Sequence, residues 1–139
     1  GAGDRLSGTA DQAAHDALVL AGMDTKANLV ACSLRLLDRK RLELARALAT
    51  RPSVLLLDEI AGGLTEAEVL DLVETIRTIR QSGIAIVWIE HIVHALLRVV
   101  DRMIAIDIGR KLIEGEPAAV MASDEVKAVY LGSDVETAP

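Results

Sequence analysis

The chain has 139 residues with fifteen Lys and Arg against twenty-one Asp and Glu, a net charge of −6, which argues against nucleic acid as a partner because neutralising phosphates needs a cationic face. That length suits one domain with a full core, and at 51% hydrophobic and 26% charged the composition lies far from that of disordered chains. The longest uncharged apolar run, Ile84 to Ile89, is far shorter than the roughly eighteen residues of a membrane span, so a soluble, cytoplasmic protein is expected despite a mean hydropathy of +0.34.

The opening Gly1-Ala2-Gly3 has no Met and no charged-then-apolar leader, and reads as the processed or tag-cleaved end of a longer protein. Residues Gly1 to Ala10 are small and polar, which predicts a loose lead-in, followed by a helix through Ala13, Leu18, Val19 and Ala21 that Gly22 ends. The stretch Asp24 to Leu37 has no period. From Asp38 a helix carries Leu42, Ala45, Leu48 and Ala49 on one stripe until Pro52 stops the pattern. Val54 to Leu57 is apolar without alternation and predicts a short strand buried on both faces. Thr65-Glu66-Ala67-Glu68 is a capping box opening a helix whose Val69, Leu72, Val73, Ile76 and Ile79 share a face, with Gly83 past its end. Ile84 to Ile89 predicts a second buried strand, completing a βαβ unit with parallel strands. A helix over Val93 to Val100 precedes a hairpin, Met103 to Ile106 and Lys111 to Glu114, turning at Asp107-Ile108-Gly109-Arg110. Pro117 starts a short helix through Ala122, and Asp124 is placed to cap a last one through Leu131.

In a parallel α/β sheet, polar residues directly after the carboxyl ends of strands are the natural place to seek a site. Asp58 and Glu59 end one strand, and Glu90 and His91 end the other. The acid pair reads either as a strand running out into water or as two carboxylates at the rim of a dry floor, one holding Mg²⁺ through its water shell and the other deprotonating an attacking water. His91 alone reads better as a strand-end cap than as a catalytic group, and His94 as packing or surface. The lone Cys32 excludes an internal disulfide and cannot by itself build a zinc cage, which fits a reducing compartment. Trp88 and Tyr130 are the only aromatics, so the core must be aliphatic and stacking platforms are scarce.

Asp38 to Leu48, then Pro52, Val54 to Glu59, Ala61-Gly62-Gly63-Leu64-Thr65, Ile89-Glu90-His91 and Asp101-Arg102 follow an order that resembles the ATPase subunit of ABC transporters. The resemblance covers Ala13 to Gly132 and implies an α/β fold: part of a P-loop NTPase-like parallel sheet with flanking helices and a carboxyl-terminal hairpin. It implies that residues 1–50 end a helical subdomain and that 51–139 form the carboxyl-terminal part of the ATPase core, one incomplete domain together. Val54 to Asp58 is similar to the Walker B strand, so the resemblance assigns Asp58 to the Mg²⁺ shell and Glu59 to the general base. Ala61 to Thr65 resembles the D-loop, which communicates across a nucleotide-sandwich dimer, and His91 resembles the switch histidine that contacts the γ-phosphate. The helix from Asp38 resembles the one behind the signature motif, whose amino end faces nucleotide on the opposite subunit. ATP, Mg²⁺, a second ATPase subunit and membrane subunits on the inner face of the membrane are therefore expected of the complete protein. Glu90 before the histidine, Gly115-Glu116-Pro117 and Tyr130-Leu131-Gly132 look like importers of branched-chain amino acids.

Where the family signature reads LSGGQ, this chain has Leu34-Arg35-Leu36-Leu37-Asp38, losing the hydroxyl and the glycines that let amides approach phosphate; Arg35 as a substitute charge, or Ser33 shifted in, does not restore that geometry. Gly-x-x-x-x-Gly-Lys-[Ser/Thr] is absent, since none of Lys26, Lys40, Lys111 and Lys127 closes such a loop. The chain is thus expected to be the carboxyl-terminal portion of an ABC ATPase, inactive and without nucleotide alone, or else a non-catalytic interaction module. The two strands are expected to flank the gap left by a P-loop strand, and self-association is the expected response to their open edges.

Overall fold

The computed structural model describes residues 2–134, with the side chains of 9–129. Its elements are α1 (Ala2–Leu20), two 3₁₀ turns (Asp24–Lys26 and Ala31–Ser33), α2 (Leu36–Leu48), β1 (Val54–Asp58), α3 (Glu66–Gln81), β2 (Ala85–Ile89), α4 (Val93–Leu96), β3 (Met103–Asp107), β4 (Arg110–Gly115), α5 (Pro117–Ala122) and α6 (Asp124–Asp134). Two compact units divide between Ala95 and Leu96.

In the first unit β1 and β2 form a parallel pair in the register Val54↔Ala85, Leu56↔Val87, Asp58↔Ile89, with α3 as the crossover. The expected gap between the two strands is therefore absent. Parallel pairing over five residues satisfies the inner backbone groups of both strands directly, and Glu59 N–H extends the ladder by donating to the Ile89 carbonyl at 2.9 Å. The expectation of burial on both faces also fails. Leu55 and Leu57 are buried, whereas Leu56 is 74% exposed, Ile89 63% and Val87 54%. A strand turns successive side chains to opposite sides, and the described elements bury only one side of this sheet. Trp88 Nε1 is buried with no hydrogen-bond partner among the described residues, a cost of about 1–3 kcal/mol.

Helices α1, α2 and α3 pack on one another. The predicted face of α3 is the core: Val69, Leu72, Val73, Ile76 and Ile79 are all buried. Thr65 caps α3 by the anticipated reciprocal box, its hydroxyl accepting from Glu68 N–H while Glu68 accepts from Thr65 N–H. Gly22, at φ +70°, ends α1: its N–H bonds the Val19 carbonyl and Met23 N–H reaches back to that of Leu18, a Schellman closure. The predicted loose lead-in is instead helical from Ala2, because it continues the ladder of α1 without a proline to stop it. Arg41 ties α2 to α3, donating to Thr75 Oγ1 at 3.0 Å and to the Asp71 carbonyl at 3.2 Å.

The second unit is an antiparallel hairpin, β3 with β4, and the helices α5 and α6. The helix predicted over Val93 to Val100 is shorter, since α4 ends at Leu96. Pro117 opens α5 as expected, with Glu116 accepting from Ala119 N–H. The cap of α6 differs: Ser123 Oγ, not Asp124, accepts from Val126 N–H at 3.3 Å. Tyr130, Leu131 and Gly132 lie in the backbone of α6, but their side chains fall outside the described residues. Glu114 sits between Lys111 Nζ at 2.9 Å and Arg102 at 2.8 Å; the Lys111 hydrogen bond, then the two cationic charges, hold its carboxyl below the ordinary value.

At the hairpin turn Ile108 is held at φ +43° and is 93% exposed, followed by Gly109 at φ +73°. A β-branched residue there carries left-handed strain with no burial in return. Ile108→Asn should stabilise the hairpin by about 1 kcal/mol, read as a higher urea midpoint. An unchanged or lower midpoint would mean the turn holds no such strain.

Candidate functional site

The register of β1 against β2 brings Asp58, Glu59, Glu90 and His91 to one rim, because both strands run the same way and end together. Glu59 is the first residue past β1 and takes φ +45°, in the left-handed region where a glutamate is uncommon. That bend leaves its carboxylate 62% exposed at the rim, and His91 Nδ1 approaches Glu59 Oε1 to 3.6 Å. Asp58 and His91 are also exposed.

Beside them Glu90 is different in kind. Its side chain is fully buried, and its oxygens accept from three backbone donors: Ala61 N–H at 3.2 Å, His91 N–H at 3.0 Å and Ile92 N–H at 3.3 Å. His91 Nδ1 also lies 3.2 Å from Glu90 Oε1. From its sequence position Glu90 was a polar strand-end residue and a family marker with no role of its own; a buried carboxylate holding two loops needs partners 29 residues apart in the chain, which spacing does not reveal.

The turn after Glu59 is compact, with Gly62 N–H donating to the Glu59 carbonyl and Leu64 N–H to that of Ala61. Gly63 is required there twice over: it has φ +79°, and a Cβ would stand 3.2 Å from Leu36 Cδ2 at the head of α2. Thus the turn lies against the region read as the altered signature.

Arg35 and Asp38 open α2 and are not part of the rim cluster. Arg35 is the exposed N-cap residue and makes no side-chain cap bond. Asp38 is buried, with its Oδ1 2.6 Å from Lys26 Nζ, so its carboxylate is committed within the fold. Arg39 braces the approach to α2 by donating to the carbonyls of Leu34 and Cys32. His94 is exposed, as is Cys32.

Among the described residues no three His, Cys, Asp or Glu side chains gather into a metal cage, and no helix is long and apolar enough to cross a membrane. A hard cation at the rim would therefore draw on one carboxylate and take its remaining oxygens from water and phosphate, which is the habit of Mg²⁺. Asp58 fits that donor role.

The fold is α/β, a partial parallel sheet with flanking helices, and the rim stands at the carboxyl ends of its two strands. No family model matches the chain. It is 38% identical over 97 residues to a protein of Azorhizobium caulinodans named "Probable ABC transporter ATP-binding protein", covering 70% of this chain and 34% of that one. It is 36% identical over 97 residues to the lipopolysaccharide export system ATP-binding protein LptB of Escherichia coli K12, covering 70% and 40%. A component of an ABC transporter complex from Clostridium perfringens superposes with a TM-score of 0.76 at 25% identity, over 91% of this chain and 53% of that one. An ATP-binding cassette of an ABC transporter in its ADP conformation shares the fold at a TM-score of 0.79 and 24% identity, over 87% and 49%. Sequence and fold together place this segment in the family of ABC transporter ATP-binding subunits. It spans well under half the length of the curated relatives named.

The acid at the third position of α3 supplies a pH test of the scaffold. The Thr65 backbone N–H, then its hydroxyl, hold the Glu68 carboxyl below its ordinary 4.5, and the Arg35 charge adds to this. The folded form therefore gains stability that is complete above about 4.5 and drains as pH falls through the lower folded value. Glu68→Gln keeps the capping geometry, so the variant should lose less stability than the parent between neutral pH and about pH 3. Equal losses, by denaturant midpoints at both pH values, would contradict this.

Proposed function

We propose that this chain is the carboxyl-terminal, hydrolysis-side part of an ABC transporter ATP-binding subunit. The observation that carries the reading is the 3.6 Å approach of His91 Nδ1 to Glu59 Oε1 at the shared end of two paired strands. Glu59 is the general base: its exposed carboxylate accepts the proton of the attacking water, and the backbone bend holds it off the strand axis. His91, at the end of the adjoining strand, contacts the γ-phosphate. Asp58 would hold Mg²⁺ through its water shell, where such an ion would supply positive charge against the phosphates. At the head of α2 Arg35 is the side chain able to meet a phosphate, while Asp38, paired with Lys26, positions that helix end.

The chain has no glycine-rich cradle for the phosphates. A P-loop half must come from another stretch of polypeptide, and a second ATPase subunit and membrane subunits complete the transporter at the cytoplasmic face of the membrane. The transported solute is a choice between the branched-chain amino acids suggested by Glu90-His91 and Gly115-Glu116-Pro117, and the lipopolysaccharide export in which LptB serves. A second reading, a non-catalytic module that self-associates, draws on the bare sheet face of Leu56, Val87 and Ile89.

Calorimetry on the chain alone should give no micromolar affinity for Mg·ATP. Mixed with or joined to the amino-terminal half of a related ATP-binding subunit, it should support hydrolysis, which Glu59→Gln lowers by about 10²–10⁴-fold while ATP binding persists. Failure to hydrolyse in that combination, together with stable oligomers of the chain alone, would favour the second reading.

A further inference from the structure

The mechanism proposed above uses Glu59, His91 and Asp58 but leaves the buried acid at the rim without a part. Glu90 is the residue between β2 and His91, and its side chain is completely shielded from solvent. A carboxylate out of water is costly unless its lone pairs are met. Here they are met by backbone: Oε2 takes Ala61 N–H, and Oε1 takes both His91 N–H and Ile92 N–H. Ala61 is itself fully buried. It starts the turn that runs past Gly63 to the cap of α3, whereas His91 carries the imidazole at the rim and Ile92 follows it in the same loop. One rigid group therefore bonds two segments that are otherwise separate in the chain.

We propose that Glu90 is a positioning residue that couples the Ala61–Thr65 turn to the His91 loop, so that displacement of the turn moves the imidazole relative to Glu59. The assignment of His91 and Glu59 to hydrolysis rests on the function proposed above; the coupling itself does not. A carboxylate suits the task because it accepts on both oxygens, whereas an amide of the same shape accepts on one and donates on the other. In Glu90→Gln the amide oxygen takes the side facing two donors, His91 and Ile92. The NH₂ then confronts Ala61 N–H, donor against donor. The substitution thus cuts the link to the turn and keeps the link to the loop.

Amide hydrogen exchange by NMR on the intact chain tests this. In Glu90→Gln the Ala61 amide should exchange about ten- to a hundredfold faster, the His91 and Ile92 amides should change by less than about threefold, and Leu72 and Ile76 in α3 should not change. Glu90→Ala should release all three loop amides. Unchanged exchange at Ala61 in both variants would overturn the coupling. So would equal acceleration at Leu72 and Ile76, which would make Glu90 a general support of the fold. In the ATP-hydrolysing combination with a P-loop half, Glu90→Gln should lower kcat about ten- to a hundredfold with KM for ATP unchanged, since Glu90 touches no nucleotide. Selective release of Ala61 in a combination that never hydrolyses ATP would uphold the coupling and refute the proposed function. Unchanged kcat despite released Ala61 would overturn the proposed transmission to His91.

Discussion

Direct parallel pairing of β1 with β2 is the constraint on which the rest of the first unit depends. Both strands point the same way, so pairing Asp58 with Ile89 makes them end level and puts Glu59 and His91 within reach of each other. A slip of one residue would turn Glu59 and Glu90 to opposite sides and destroy the cluster. The capping box of α3 and the packing of its apolar face hold that register from the far side of the crossover.

Much of this was legible in the sequence where a local rule decides. Thr65 and Glu68 announced the start of α3, Gly22 the end of α1, Pro117 the first turn of α5, and Asp107 to Arg110 the hairpin turn. Periodicity alone identified the buried face of α3. What failed was long-range. Four consecutive aliphatics in β1 fit burial on both faces equally well whether or not anything covers the second face, and residues 2–10 have a composition that helix and loop share. Strand order was read by analogy rather than from these residues, and it placed a gap where backbone bonds now stand.

The candidate site divides along the same line. Asp58, Glu59, Glu90 and His91 stood out because polar residues at strand ends are a local signal in an α/β chain, and the paired strands bring them to one rim, whereas the roles given to Asp58, Glu59 and His91 came from the family resemblance. Glu90 was missed as a functional group since its burial and its bond to Ala61 exist only after the strands pair. Asp38 shows the converse: its place at a helix start suggested a ligand contact, while the fold pairs its carboxylate with Lys26.

The pairing of β1 with β2 can be tested chemically. Leu56→Cys and Val87→Cys would place thiols on directly paired residues of the exposed face, with Cys32→Ser removing the native thiol. Adjacent strands lie about 4.8 Å apart, within disulfide reach, whereas an intervening strand would separate them by about 9.6 Å, beyond it. Mild oxidation should yield a cross-link within single chains, seen as faster non-reducing migration and loss of both free thiols. Persistent free thiols, or cross-linked dimers alone, would contradict the account.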